Sequence, residues 1–176
     1  MQYQQVYEFW FVTCSESDWW QKSTVFDQKV IQEFSTLHSK ALNGELASWR
    51  QNPLAALCEI IVLDQFSRNM FRDTPSAFAS DTLALCLAQH AIEKGYDKEL
   101  NDTEVSFLYM PFMHSESRYI HQHAEKLFRD LPNYEFEIAH KKIIDRFGRY
   151  PHRNEILGRV STDEEIEFLQ QPGSSF

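Results

Sequence analysis

"STVFDQKVIQEFSTLHSKALNG", Ser23 to Gly44, has apolar residues at Val25, Phe26, Val30, Ile31, Phe34, Leu37, Ala41 and Leu42. Steps of three and four place such residues on one side of a chain that turns by about 100° per residue, the mark of an amphipathic helix. Ser23 or Thr24 can accept from the first unpaired amides, and Gly44 suits the turn that ends the helix.

The same grammar repeats on both sides. "NPLAALCEIIVLDQFSRNMF" (52–71) opens with Asn52 as a cap and Pro53 in the first turn. "TPSAFASDTLALCLAQHAIEKG" (74–95) has Pro75 at its start and Gly95 at its end. "YQQVYEFWF" (3–11) places aromatic residues at helical spacing, and helices are predicted at about 103–112, 116–131, 134–148 and 162–170. The last carries a capping box, Ser161 or Thr162 with Glu164 or Glu165. No alternating run is long enough for a strand. The expected fold is all-α, one domain over residues 1–176, with 171–176 a loose tail whose Phe176 can dock on the body. Short connections favour antiparallel helical hairpins in a bundle or α-α superhelix. No self-similarity at a period of about 34 residues marks a regular tetratricopeptide array.

Composition narrows the function classes. A hydrophobic fraction of 43% and fourteen phenylalanines exclude a disordered chain. A net charge of −9 speaks against nucleic acid and anionic membranes as partners, because both need a positive field. The longest apolar run, "LAALCEIIVL" (54–63), is interrupted by Glu59 and is too short for a bilayer. "MQYQQVYEFW" has no basic start that would suit a signal peptide. Cys14, Cys58 and Cys86 form no CxxC pair and read as reduced thiols of a cytoplasmic protein, Cys58 and Cys86 as small core residues.

Three polar clusters continue faces that should be buried. Beyond Leu57 and Ile61, the helical stripe arrives at Asp64, Gln65 and Arg68. Asp64 and Arg68 stand four apart, the spacing of an ion pair, and with Gln65 they can equally line a polar cavity. In "MPFMHSES" (110–117), Pro111 should break or kink the helix and Ser115 can cap the next. Glu116 and His123 then fall on the face of Ile120, Ala124 and Leu127. His114 and Glu116 are residue types of acid–base or metal chemistry, but no recognised metal spacing is present and no metal or cofactor is expected.

The third cluster, "DRFGRYPHRNEILGR" (145–159), gathers four of the nine arginines. The predicted helix from Tyr134 has Phe136, Ala139, Ile143 and Phe147 as its apolar face, with His140 inside it and Arg146 flanking it. Asp145 and Arg149 are spaced to pair with each other. His152, Arg153 and Asn154 fall in the turn after Gly148 and Pro151, ahead of a short helix over "NEILG". Arginine's planar fork suits a carboxylate or phosphate ligand, and equally the free carbonyls of a broken helix.

"VYEFWF", "NGELASWRQNPLAALCEIIVLDQ", "VLDQFSRNMFR", "AFASDTLAL", "FLYMPFMHSES" and "RFGRYPHRNEILGRVSTDEEIEFL", in that order, resemble the bacterial family known as domain of unknown function 924. The resemblance covers nearly the whole chain. It implies paired helices in a tetratricopeptide-repeat-like arrangement, and it implies no activity and no catalytic residues. One departure is Ser67, where the family typically has proline, which implies a less rigidly defined helix end at Arg68.

Two function classes stay open. One is a binding module with a polar pocket for a small anionic molecule or peptide, using Asp64, Gln65, Arg68, His114, Glu116, Arg146, His152, Arg153 and Asn154. The other is a hydrolase-like enzyme for a small molecule, with His114, Glu116 or His152 as acid–base groups. A third reading is a scaffold whose clusters only fix the fold. The sequence does not set the oligomeric state. If there is a site, the three clusters should meet at one concave place.

Overall fold

Helix follows helix from Tyr3 to Leu169 in this computed structural model, which describes residues 2–175 and has no strand among them. The stretch that decides the fold forms α3, Thr24–Leu42, capped by Ser23 Oγ, which accepts from the Phe26 amide at 3.2 Å. Phe26, Val30, Phe34, Leu37 and Ala41 are buried, whereas Val25 and Leu42 lie outside the buried stripe. The stripe also buries Asp27, which is held by Arg72 and Asn69.

Before α3, α1 (Tyr3–Tyr7) widens into a π-helical turn over Glu8–Thr13, and α2 spans Glu16–Trp20. After it, α4 (Pro53–Ile61) starts as expected, with Asn52 Oδ1 accepting from the Ala55 amide at 3.1 Å and Pro53 in the first turn. A feature with no sequence signature follows: Val62–Phe66 is π-helical, and α5, Ser67–Met70, resumes the α-helix. The wider turn takes the Leu63 carbonyl away from regular pairing, and the Ser67 and Ser80 hydroxyls each donate to it at 2.6 Å. Ser67 Oγ also meets His38 Nε2 at 2.7 Å. Ser67 is therefore fully buried and held by hydrogen bonds where the α-helix resumes.

Pro75 opens a 3-10 turn, Pro75–Ala77, and not the helix itself; α6 begins later, at Asp81, and runs to Glu93. Cys86 on α6 is exposed, which corrects its reading as a core residue, while Cys58 is buried. A 3-10 turn, Tyr96–Glu99, leads to α7, Asp102–Met113, which runs straight through Pro111 and stops at His114. The cap of α8 (Arg118–Leu127) is Ser117, not Ser115. α9 spans Tyr134–Phe147 and ends at Gly148, whose φ of +70° requires glycine's freedom. The chain then forms a 3-10 turn at Pro151–Arg153 and further turns across "NEILG" in place of the expected short helix. α10, Asp163–Leu169, has the capping box at Thr162 and Glu165.

Consecutive helices pack on one another, α6 on α7, α7 on α8 and α8 on α9. A large apolar core joins α1, α3, α4, α6, α7 and α8, and a small second cluster forms around Ile143, Ile144 and Tyr150. On α9 the buried residues are Glu137, His140, Ile143 and Ile144; Phe136, 62% exposed, is not on the apolar face. Near the end of the chain, Ser174 is buried and donates to the Leu169 carbonyl at 3.1 Å, whereas the expected docking of Phe176 falls outside the described residues. Among the described residues no helix is long and apolar enough to cross a membrane.

Candidate functional site

A cavity of about 290 Å³ opens beside the first turns of α6. Its walls come from the turn before α6, the end of α7 and the turn after Pro151, and its polar lining is Asp81, Thr82, His114, Ser115, Glu116 and Arg153. Phe78, Leu85, Pro111 and Leu157 supply apolar wall.

The helix that carries the π turn supplies the layer behind this wall. Asp64, buried in that turn, meets Arg68 Nη1 at 3.0 Å and His114 Nδ1 at 2.8 Å, and also accepts from Gln65 Nε2. Arg68 grips Asp81 with both terminal nitrogens, at 2.9 and 3.0 Å. Arg153 Nη1 reaches the same carboxylate at 3.2 Å. Asp81 thus joins the first and third sequence clusters, and His114 joins the second to the first.

Charge balance sets the protonation states. Burial alone would raise the Asp64 carboxyl, but Arg68 and then His114 hold it well below the ordinary carboxylate range. His114 is pushed down from its ordinary value by burial and by Arg68, so its ring is neutral near pH 7. An ionised Asp64 can only accept, so the His114 proton sits on Nδ1 and Nε2 keeps its lone pair. Burial and then Arg68 also lower Arg153.

Arg153 is 6% exposed. Its guanidinium carbon lies 4.5 Å from the centroid of the Phe78 ring and 4.6 Å from that of Tyr150. Among the described residues its Nε has no hydrogen-bond partner, an uncommon condition for a buried arginine. On the opposite wall Glu116 is engaged at both oxygens. The Tyr150 amide donates to Oε1 at 2.7 Å, and Arg159 donates to Oε2 at 2.6 Å and Oε1 at 2.9 Å.

Asp64, Arg68, His114, Glu116 and Arg153 therefore share one region, with Gln65 buried beside Asp64. Arg146 does not join them: it is exposed, pairs with Glu164 at 2.8 Å and lies over the Phe147 and Phe168 rings. The expected Asp145–Arg149 pair is also absent, because Lys141 takes Asp145 and Arg149 pairs with Glu165 at 2.6 Å. Asn154 is buried and donates to Ser161 Oγ at 3.0 Å, away from the cavity wall. His152 packs against the Tyr150 ring at 5.5 Å and is pushed down to about 4 by burial and Arg153; it does not line the cavity.

A sequence model of the family described as "Bacterial protein of unknown function (DUF924)" matches residues 6–173. The chain belongs to this family. A solved structure of a protein of unknown function from Agrobacterium tumefaciens is 34% identical, covers 96% of both chains and superposes with a TM-score of 0.91. No curated protein matches the chain. The DUF924 match thus fixes family and fold, and the chemistry of this member has to come from its own residues.

In this DUF924 chain, sequence reading missed Asp81, Arg159 and a fully buried pair, His121 and Glu137, joined at 2.8 Å. His121 Nε2 also meets the Ser115 carbonyl at 2.9 Å and the Tyr150 hydroxyl at 3.2 Å, which fixes the wall that carries Ser115 and Glu116. His123, expected on the buried face, is exposed; the face centres on His121, Ala124 and Phe128. The signal available for Asp81 was a carboxylate beginning a helix in "AFASDTLAL", which has an equally good structural use near a helix N-terminus. Among the described residues no group of three His, Cys, Asp or Glu side chains is placed to hold a metal ion.

Proposed function

We propose that this chain binds a small anionic molecule in the cavity walled by Arg153, His114 and Glu116. The observation that carries this reading is the Arg153 guanidinium, set in the cavity wall with Nη1 as its one nitrogen in a described hydrogen bond. A guanidinium at a cavity wall can add a charge-assisted hydrogen bond, about 1.5–3 kcal/mol, to a carboxylate or phosphate oxygen that enters. Asp81, itself gripped by Arg68, holds the guanidinium in place, and the Phe78 and Tyr150 rings add cation–π contact. A volume of about 290 Å³ suits a small metabolite better than a peptide. The paired-helix, tetratricopeptide-like arrangement that the family resemblance implies is compatible with the packing of α6 to α9 and forms part of this proposal.

The enzyme reading keeps one supporting observation, the Asp64–His114 pair at the cavity wall, which has the form of a base and its orienting carboxylate. Among the described residues no hydroxyl or thiol is hydrogen-bonded to His114, so the pair has no partnered nucleophile. Binding is therefore the preferred function. Calorimetric titration with inorganic phosphate and with acetate tests it, on the wild type and on Arg153→Lys, which keeps the charge but removes the fork. Saturable binding that weakens at least tenfold in Arg153→Lys supports the proposal. Heat changes indistinguishable from dilution for both anions would remove it.

A further inference from the structure

The polar lining of the cavity can be sorted by which atoms are already engaged. Both Asp81 oxygens are taken by Arg68, and Oδ2 also receives Arg153. Both Glu116 oxygens are taken by Arg159, with the Tyr150 amide as a further donor. The Ser115 carbonyl faces His121 Nε2, and Ser115 Oγ accepts from the Ser117 amide. The carboxylates that would have made the lining repel an anion are thus neutralised and hydrogen-bonded within the wall.

Two groups differ from the rest, beside the exposed Thr82, whose hydroxyl can itself donate or accept. One is Arg153, which lines the cavity and whose one described hydrogen bond leaves from Nη1. The other is His114, whose described hydrogen bond engages Nδ1 alone, at 2.8 Å from Asp64. Because Asp64 must accept there, Nε2 is the nitrogen with a lone pair, and the ring lines the cavity. The cavity therefore offers a cationic donor and a neutral acceptor, on walls contributed by two different segments.

We infer that the ligand is a small anion that also carries a hydroxyl group, its anionic end held by Arg153 and its hydroxyl donating to His114 Nε2. This inference rests on the anion reading above and adds the second contact. Burial and Arg68 favour the neutral ring that this contact needs, since a protonated Nε2 would donate and repel the hydroxyl hydrogen. Asp64 fixes the tautomer and so acts as a positioning residue for His114. Hydroxy-carboxylates and hydroxyalkyl phosphates both have this chemistry; Phe78, Leu85 and Leu157 are wall for the short carbon frame between the two polar ends.

The test compares ligand pairs that differ by the hydroxyl: glycolate with acetate, and 2-hydroxyethyl phosphate with ethyl phosphate. The dissociation constants of wild-type protein are measured by calorimetry near pH 7.5. The hydroxylated member of at least one pair should bind about five- to tenfold more tightly, the range of one net hydrogen bond. The pair that shows the larger ratio identifies carboxylate or phosphate as the anionic end. In His114→Asn, whose amide can still donate to Asp64 but lacks Nε2, the ratio within each pair should fall to about one. Nitrogen-detected resonances of His114 give a variant-free readout: the Nε2 signal should move with glycolate or 2-hydroxyethyl phosphate and stay in place with the partner compound. Equal affinities within both pairs for the wild type would overturn the hydroxyl inference and leave the anion site standing. If none of the four compounds binds, the anion reading falls, and this inference falls with it.

Discussion

The helix from Pro53 to Met70 serves two regions that hold together in opposite ways. On one side Phe66 enters an aromatic cluster, with ring centroids 5.9 Å from Phe9, 5.6 Å from Trp10 and 4.8 Å from Phe34. On the other side Asp64 and Arg68 enter a polar layer where nearly every oxygen and nitrogen has an assigned partner. The aromatic region is non-directional: it gains from apolar area and tilted ring contacts, and any well-packed set of rings would serve. The polar region is directional, because each buried charge has to meet its counter-charge to recover its desolvation cost. What the difference teaches is where to look for chemistry. A region that carries the cost of buried charge, and leaves an Arg153 nitrogen without an acceptor, is the better candidate for a site.

The two regions should fail differently. Phe66→Ala removes a fully buried ring from three aromatic neighbours and should cost about 3–5 kcal/mol in urea unfolding, with little dependence on salt or pH. Asp64→Ala leaves Arg68 with the Asp81 carboxylate and the residue 64 carbonyl, removes the orienting partner of His114, and should cost about 2–4 kcal/mol. Equal insensitivity of both variants to pH would erase the distinction between the regions.

The pH dependence sharpens it further. His140 is buried and pushed down to about 3, with His114 and His38 also lowered mainly by burial. In the unfolded chain these rings take up protons at ordinary values near pH 6.5, so the unfolded state binds more protons below that pH. Stability should therefore be full above about pH 6.5 and fall as pH drops toward 3. Between pH 7 and pH 5 the loss from His140 should be on the order of 1–2 kcal/mol. Asp64, lowered by Arg68 and His114, adds a loss in the same direction, beginning as pH enters the ordinary carboxylate range, where the unfolded chain takes up its proton. Urea midpoints measured across this range check the sign; higher stability at pH 5 than at pH 7 would contradict it.

The smallest effect belongs to Arg146. It lies outside the polar layer and pairs with an exposed carboxylate, so Arg146→Ala should change stability by less than about 1 kcal/mol and leave anion titrations unchanged. Anion binding lost in that variant would move the site to the α9–α10 surface.

Much of the fold was legible in the sequence, because Ser23, Asn52 and Thr162 each cap a helix by local hydrogen bonds and the apolar spacing between caps is regular. Asp64, Arg68, His114, Glu116 and Arg153 were legible as polar groups at helix ends beside apolar faces. Their connection through Asp81 was not, since it depends on how α6 lies against the turn after Pro151. Local spacing also misled: Asp145 and Arg149 stand four apart, but Lys141 and Glu165 compete for them. Of the break or kink expected at Pro111, the break does not occur: α7 continues to Met113, where tertiary packing of Phe112 and Met113 outweighs one missing amide. The π turn at Val62–Phe66 left no mark in composition or periodicity, and it is the turn that presents Asp64 to His114.

The most direct test of an anion site at Arg153 is to follow its Nε–H resonance by nitrogen–proton correlation spectroscopy during titration with phosphate and acetate. The structure predicts a saturable shift at Arg153, accompanied by His114, with Arg146 unmoved. A resonance that stays fixed at saturating concentrations of both anions would contradict the claim and leave Arg153 as a clamp between Asp81 and Tyr150.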